Sequence, residues 1–112
     1  MEYLYEINGE QVKLAEKATP KRITEFCRIF GKTNMSELLV PKDSIDGSAK
    51  KMSGLLLDAI GDSSLTQRIL NCCTEKTFTI EEAGEADAEI TGRIATDFFL
   101  QLIVKFFRQQ KL

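Results

Sequence analysis

Along residues 3–16 the apolar and polar positions alternate on either side of Asn8-Gly9. Asn-Gly is a strong hairpin signal, because a type I′ turn needs positive φ at both central positions. A turn there sets Tyr5 opposite Val12 and Tyr3 opposite Leu14. It gathers Tyr3, Tyr5, Ile7, Val12 and Leu14 on one face. Glu6, Gln11 and Lys13 lie on the other, with Leu4 as an apolar exception. One buried and one wetted face is the antiparallel pattern. An isolated hairpin is marginal in water, so this one is expected to lie against helices or to pair with another chain; its outer edges have free backbone groups, which makes the hairpin edge, beside the last helix, a candidate for forming oligomers.

The period then changes from two to about 3.6. Thr19-Pro20 has the form of an N-cap followed by a first-turn proline. Ile23, Phe26, Cys27 and Phe30 follow at core-facing spacing, and Gly31 supplies a stop. Residues 33–47 read as irregular, with a possible helical turn at 36–39 ended by Val40-Pro41. A second long helix is expected over 49–60, on a stripe of Ala49, Met52, Leu56 and Ala59 or Ile60 widened by Leu55, despite Gly54. Ser48 or Asp46 would cap it and Gly61 would end it. A third is expected over 65–73, capped by Ser63 or Ser64, with Leu65, Ile69, Cys72 and Cys73 at helical spacing. The short link at 61–64 predicts that these two helices are antiparallel neighbours. Residues 77–80 suit a short strand or an extended link. The acidic stretch 81–89, with Gly84, suits an exposed connection or a frayed first turn.

The closing segment is the most apolar. A helix should begin between positions 87 and 97 and run almost to Leu112. Ile90 and Ile94 point in one direction. Farther along, that same direction carries Gln101, Lys105 and Arg108, while Phe98, Phe99, Leu100, Leu102, Ile103, Val104, Phe106 and Phe107 fill most of the rest. A break near Ala95-Thr96, with Thr96 capping a separate last helix, would explain the change of register. The apolar sector exceeds the ~100° that a one-sided core requires. Such a rod is either the central core helix, or it leaves one flank for a partner chain or a second copy; both can hold at once. On the second reading the partner-binding residues are Phe98, Phe99, Leu102, Ile103, Phe106 and Phe107.

Composition narrows the chemistry. The chain has 112 residues, 43% hydrophobic and 29% charged, with a net charge of -2. This suits a single domain with its own core. No apolar run approaches the ~18 residues of a membrane span, and the acidic, aromatic start (Glu2, Tyr3, Tyr5, Glu6) is unlike a secretory leader. There is no histidine, so His-based triads and His-ligated zinc are excluded. Cys27, Cys72 and Cys73 form a poor disulfide framework and suit buried free thiols in a reducing, cytoplasmic setting. No phosphate-cradling glycine motif or nucleophile elbow is present. The carboxylates of Glu81, Glu82, Glu85, Asp87 and Glu89 lack a calcium-loop pattern and suit a solvated face. The expectation is a protein that is not an enzyme and takes no cofactor or metal.

Nucleic acid is the specific rival as a partner. Lys13, Lys17, Lys21, Arg22, Arg28 and Lys32 cluster around the first helix, and residues 23–39 can be drawn as a helix-turn-helix of a small DNA-binding regulator. The charge balance argues against it. Residues 1–51 hold nine basic and eight acidic side chains, and residues 52–104 hold three basic and nine acidic. Duplex binding normally presents a clear positive face.

Taken together, the expected fold class is α+β: a mostly α-helical single domain, with a β-hairpin at 3–16 and a helical part over 19–112. Small helices follow the hairpin, then LLLDAIGD and a helix ending in cysteine. An acidic linker leads to a closing helix with paired phenylalanines, DFFLQLIVKFF. This order resembles the tail assembly chaperones of long-tailed phages and prophages. The resemblance implies a non-catalytic protein of the host cytoplasm that binds the tape measure protein, or another tail component, during virion morphogenesis. It also implies homo-oligomers, and a short form beside a frameshifted longer one. It brings no fixed ligand residues, so the paired phenylalanines are the candidate contact on their periodicity alone.

Overall fold

A computed structural model of the protein describes residues 4–31 and 61–110, with side chains as far as Lys105. The expected helices at 36–39 and 49–60 and the Tyr3–Leu14 pairing lie outside the described residues. The fold is α+β and mostly helical, with an N-terminal antiparallel two-stranded hairpin.

The hairpin joins β1 (Leu4–Ile7) to β2 (Glu10–Lys13). Asn8 and Gly9 adopt φ of 53° and 84°, as a type I′ turn requires. Tyr5 pairs with Val12 and Ile7 with Glu10. The alternation then buries Tyr5, Ile7, Val12 and Leu14 and leaves Leu4 in water, as the sequence predicts. Leu14 also forms an antiparallel bridge to Thr74, with Ala15 N–H donating to the Cys73 carbonyl and Glu75 N–H to that of Lys13.

Helix α1 (Pro20–Ile29) begins on Thr19, whose hydroxyl accepts from Arg22 N–H. It ends before Gly31, at φ 71°. Phe26, Cys27, Ile29 and Phe30 are buried, with Ile23 packed partly against the core.

Helix α2 (Ser63–Cys73) starts two residues earlier than expected, and its cap is Asp62. One Asp62 carboxylate oxygen accepts from both Ser64 and Leu65 N–H. The two serines therefore sit inside the first turn. At its other end Thr74 Oγ1 reaches back to the Leu70 carbonyl at 2.6 Å.

Residues 77–79 are an extended link, one of the two forms expected there. The acidic stretch after it is not a connection: Ile80–Glu85 form a short helix, α3. A reciprocal capping box makes it. Thr79 Oγ1 accepts from Glu82 N–H, and the Glu82 carboxylate accepts from Thr79 N–H. Gly84 lies close to α2, since a Cβ there would come 3.2 Å from Ser63 Oγ.

Helix α4 (Ala88–Gln110) runs without the expected break at Ala95-Thr96. It starts at Asp87, whose side chain accepts from Glu89 N–H, so Thr96 is an interior residue and not a cap. Thr91, Ile94, Ala95, Phe98, Phe99, Leu102 and Ile103 are all buried. At 100° per residue they share one sector of roughly 180°.

The core gathers on Phe26. Its ring lies 5.1 Å from Phe30, 5.2 Å from Phe98 and 6.3 Å from Phe99, centroid to centroid. α2 packs against α1, α3 and α4, and β1 packs against α4.

Candidate functional site

The paired phenylalanines are the first candidate. Phe98 and Phe99 are wholly buried, and Leu102 and Ile103 are at most 3% exposed. Phe98 and Phe99 both pack against Phe26. The expectation that these four residues form a partner-binding surface is therefore corrected: one chain encloses them. The physical reason is the width of the buried sector, which lets the small domain hold half of α4 and not all of it. Phe106 and Phe107 lie beyond the described side chains. On the described part of α4 the large apolar side chain left in water is Val104, 53% exposed.

The polar edge of α4 has a definite task. Tyr5 hydroxyl donates to the Asp97 carboxylate. One turn on, Gln101 Nε2 donates to the Ala15 carbonyl at 2.9 Å. After one more turn, Lys105 Nζ donates to the Glu16 carbonyl at 2.7 Å. Asp97, Gln101 and Lys105 thus form an i, i+4, i+8 seam along the hairpin and its exit. This explains the change of character after Ile94. The rim of the helix face is apolar where it meets the core and polar where it meets backbone carbonyls that need donors.

The second candidate is the basic cluster. Arg22 is not a surface cation awaiting an anion. Its Nη1 donates to the Cys72 and Thr74 carbonyls at 2.8 and 3.0 Å and reaches the Asn71 carbonyl at 3.4 Å. α2 has no basic residue in its last turn, so Arg22 supplies from α1 the positive charge that a helix C-terminus favours. Arg68 makes a two-point contact with Glu25, at 2.9 and 3.2 Å. The Arg68 hydrogen bonds, and next its charge, hold the Glu25 carboxyl below the usual range despite some desolvation. Lys13 pairs with Glu16 at 2.7 Å. Lys17, Lys21 and Arg28 are exposed. The second helix of a helix-turn-helix would fall at 33–47, outside the described residues.

Between α1 and α2 runs a groove of about 520 Å³, lined from α1 and its cap by Thr19, Lys21, Arg22 and Glu25 and from α2 by Gln67, Arg68, Asn71 and Cys72. Most of this lining is already engaged. Thr19 caps α1, Arg22 caps α2, Glu25 and Arg68 hold one another, and Gln67 and Asn71 both donate to the Phe78 carbonyl. Cys72 Sγ donates to the Arg22 carbonyl at 3.1 Å. The groove is a seam between helices whose polar groups serve the fold.

All three cysteines are buried free thiols, as expected. Burial pushes the Cys73 thiol well above its usual pKa, and the hydrogen bond it donates to Cys72 adds to this. In the acidic stretch, Glu82 serves the capping box and Glu89 lies 3.6 Å from Arg93.

The feature that sequence reasoning passed over is the inequality of the two hairpin edges. β2 is partly covered along its outer edge by residues 73–75. On β1, among the described residues, no backbone group pairs with the outward N–H and C=O groups of Leu4 and Glu6. The two-residue turn is the signal that foretells which groups these are. It closes on Ile7 and Glu10, so Tyr5 and Ile7 bond inward and Leu4 and Glu6 face out.

Among the described residues, no helix is long and apolar enough to cross a membrane. The chain matches no family model, no curated protein and no solved structure.

Proposed function

We propose that this protein is a non-catalytic tail assembly chaperone of the kind found in long-tailed phages and prophages. It binds the tape measure protein in the host cytoplasm and associates with copies of itself. The order of elements supports this reading: a hairpin, small helices and a long apolar closing helix stand in the sequence that the resemblance rests on. The observation that carries a binding role over a chemical one is the employment of the polar side chains. Most of the acids, amides and cations lining the α1–α2 groove act as caps and inter-helix ties, and the described surface also exposes large apolar side chains at Leu4, Ile80 and Val104. The client contact accordingly moves from the middle of α4 to its exposed flank and far end, at Val104 and, in sequence, Phe106 and Phe107.

Co-expression with a long apolar helical segment of a tape measure protein tests this. The chaperone should keep that segment soluble and co-purify with it, and Val104→Glu should weaken the complex while leaving the circular dichroism unchanged. A client that precipitates equally with and without this protein overturns the reading.

A further inference from the structure

We propose that β1 is a self-pairing edge, through which two copies join antiparallel about a two-fold axis at Tyr5 into one four-stranded sheet. This rests on the reading that the protein self-associates, and it says where. Three observations carry it. The first is the asymmetry of the hairpin: the backbone of Lys13 and Ala15 is engaged by Glu75 and Cys73, while among the described residues no backbone group takes up the outward groups of Leu4 and Glu6. An exposed strand edge of this kind is a template for another strand. The second is Leu4, 53% exposed beside that edge, a large apolar side chain on an otherwise polar face.

The third is charge, which selects the register. Because the outward groups belong to Leu4 and Glu6, only registers that pair even-numbered positions let both strands bond. Placing Glu6 opposite Glu6 of the second copy sets two carboxylates face to face, which is unfavourable. Placing Leu4 opposite Leu4 brings only one pair of outward-facing β1 residues together. Setting Leu4 opposite Glu6 avoids the like charges and brings two such pairs together. That pair and its symmetry mate each exchange both backbone hydrogen bonds, and Tyr5 meets Tyr5 on the core side.

The test uses the full chain. A Leu4→Cys variant is mixed with a Glu6→Cys variant under mild oxidation, beside each variant alone and the unmodified chain. In the proposed register the mixed pair has Cα atoms about 5.5 Å apart, inside disulfide range, while like pairs stand about 8–9 Å apart, outside it. The mixture should cross-link several-fold more than either variant alone. Glu6→Pro gives a second readout. It removes an outward N–H that the hairpin does not use, a place where proline is tolerated, so it should abolish association by light scattering with the dichroism retained. Should Glu6→Pro fail to fold, the cross-linking decides alone. Copies that associate without preferential cross-linking of the mixture overturn edge pairing and leave self-association standing. A chain that stays monomeric across a concentration series overturns both.

Discussion

At the scale of the residue, the same side chain reads alike in sequence whether it faces a core or a partner, and only its neighbours decide. Phe98 and Phe99 illustrate this. Their spacing shows that α4 is apolar on two adjoining directions, but not that Phe26 stands between them and fills both. Truncating a fully enclosed phenylalanine removes transfer energy and leaves a cavity, so Phe98→Ala should cost about 3–5 kcal/mol in urea unfolding. Phe99→Asp should go further and lose the native dichroism, because an unpaired carboxylate would sit in the aromatic cluster. A folded Phe99→Asp variant that merely failed to assemble would instead return this residue to a partner surface. Arg22 makes the opposite point. Sequence places it among cations suited to phosphate, whereas its guanidinium satisfies carbonyls at the end of α2. Arg22→Leu should lower stability by about 1–3 kcal/mol, and Arg22→Lys should recover only part of that, since an ammonium lacks the planar fork.

At the scale of the element, legibility follows the range of the forces involved. The hairpin register and the start of α1 are fixed by adjacent residues, Asn8-Gly9 and Thr19-Pro20, and both stand where the sequence puts them. α3 is also local. Its Thr79–Glu82 box is written in the sequence, but the surrounding carboxylates and Gly84 read more strongly as exposed linker. The continuity of α4 is not local. The polar shift after Ile94 looks like a break until the carbonyls of Ala15 and Glu16, from the other end of the chain, are set against it. The box yields a prediction about pH. Hydrogen bonds from Thr79, the backbone N–H foremost, hold the Glu82 carboxyl below its usual range. A depressed carboxyl stabilises the folded state above the usual carboxylate range, and that contribution drains away as the pH falls through the lowered value. Glu82→Ala should lower the denaturant midpoint at neutral pH by removing the carboxylate that accepts from Thr79 N–H, and the gap from the unmodified protein should narrow in acid as Glu82 of the unmodified protein protonates. A gap that stays constant down through the carboxylate range would remove Glu82 from the cap.

At the scale of the molecule, the two ends of the chain close one structure. Tyr5 and Asp97 are 92 residues apart, and Lys105 and Glu16 are 89 apart, yet these pairs fasten the hairpin to the last helix. The segment after α2 seals β2 from the other side through Glu75 and Cys73. The hairpin has too little of its own to persist without them, so its order depends on α4 being one rigid piece. Thr96→Pro separates this account from a pair of shorter helices. At a cap between two helices, a proline would be nearly harmless. Inside a continuous α4 it removes a backbone hydrogen bond and clashes with the preceding turn, at about 3 kcal/mol or more, and it does so between Ala95, in the core, and Asp97, in the seam. Both tyrosines of the chain are in its first five residues and there is no tryptophan, so intrinsic fluorescence reports on the N-terminal end while far-UV dichroism reports on the helices. The unmodified protein should show the same midpoint by both probes. In Thr96→Pro both midpoints should fall together, because releasing the seam frees the hairpin as it weakens the core. A variant whose dichroism falls while its tyrosine signal holds its midpoint would show that the hairpin stands without α4, and the seam would then be a contact without consequence for folding.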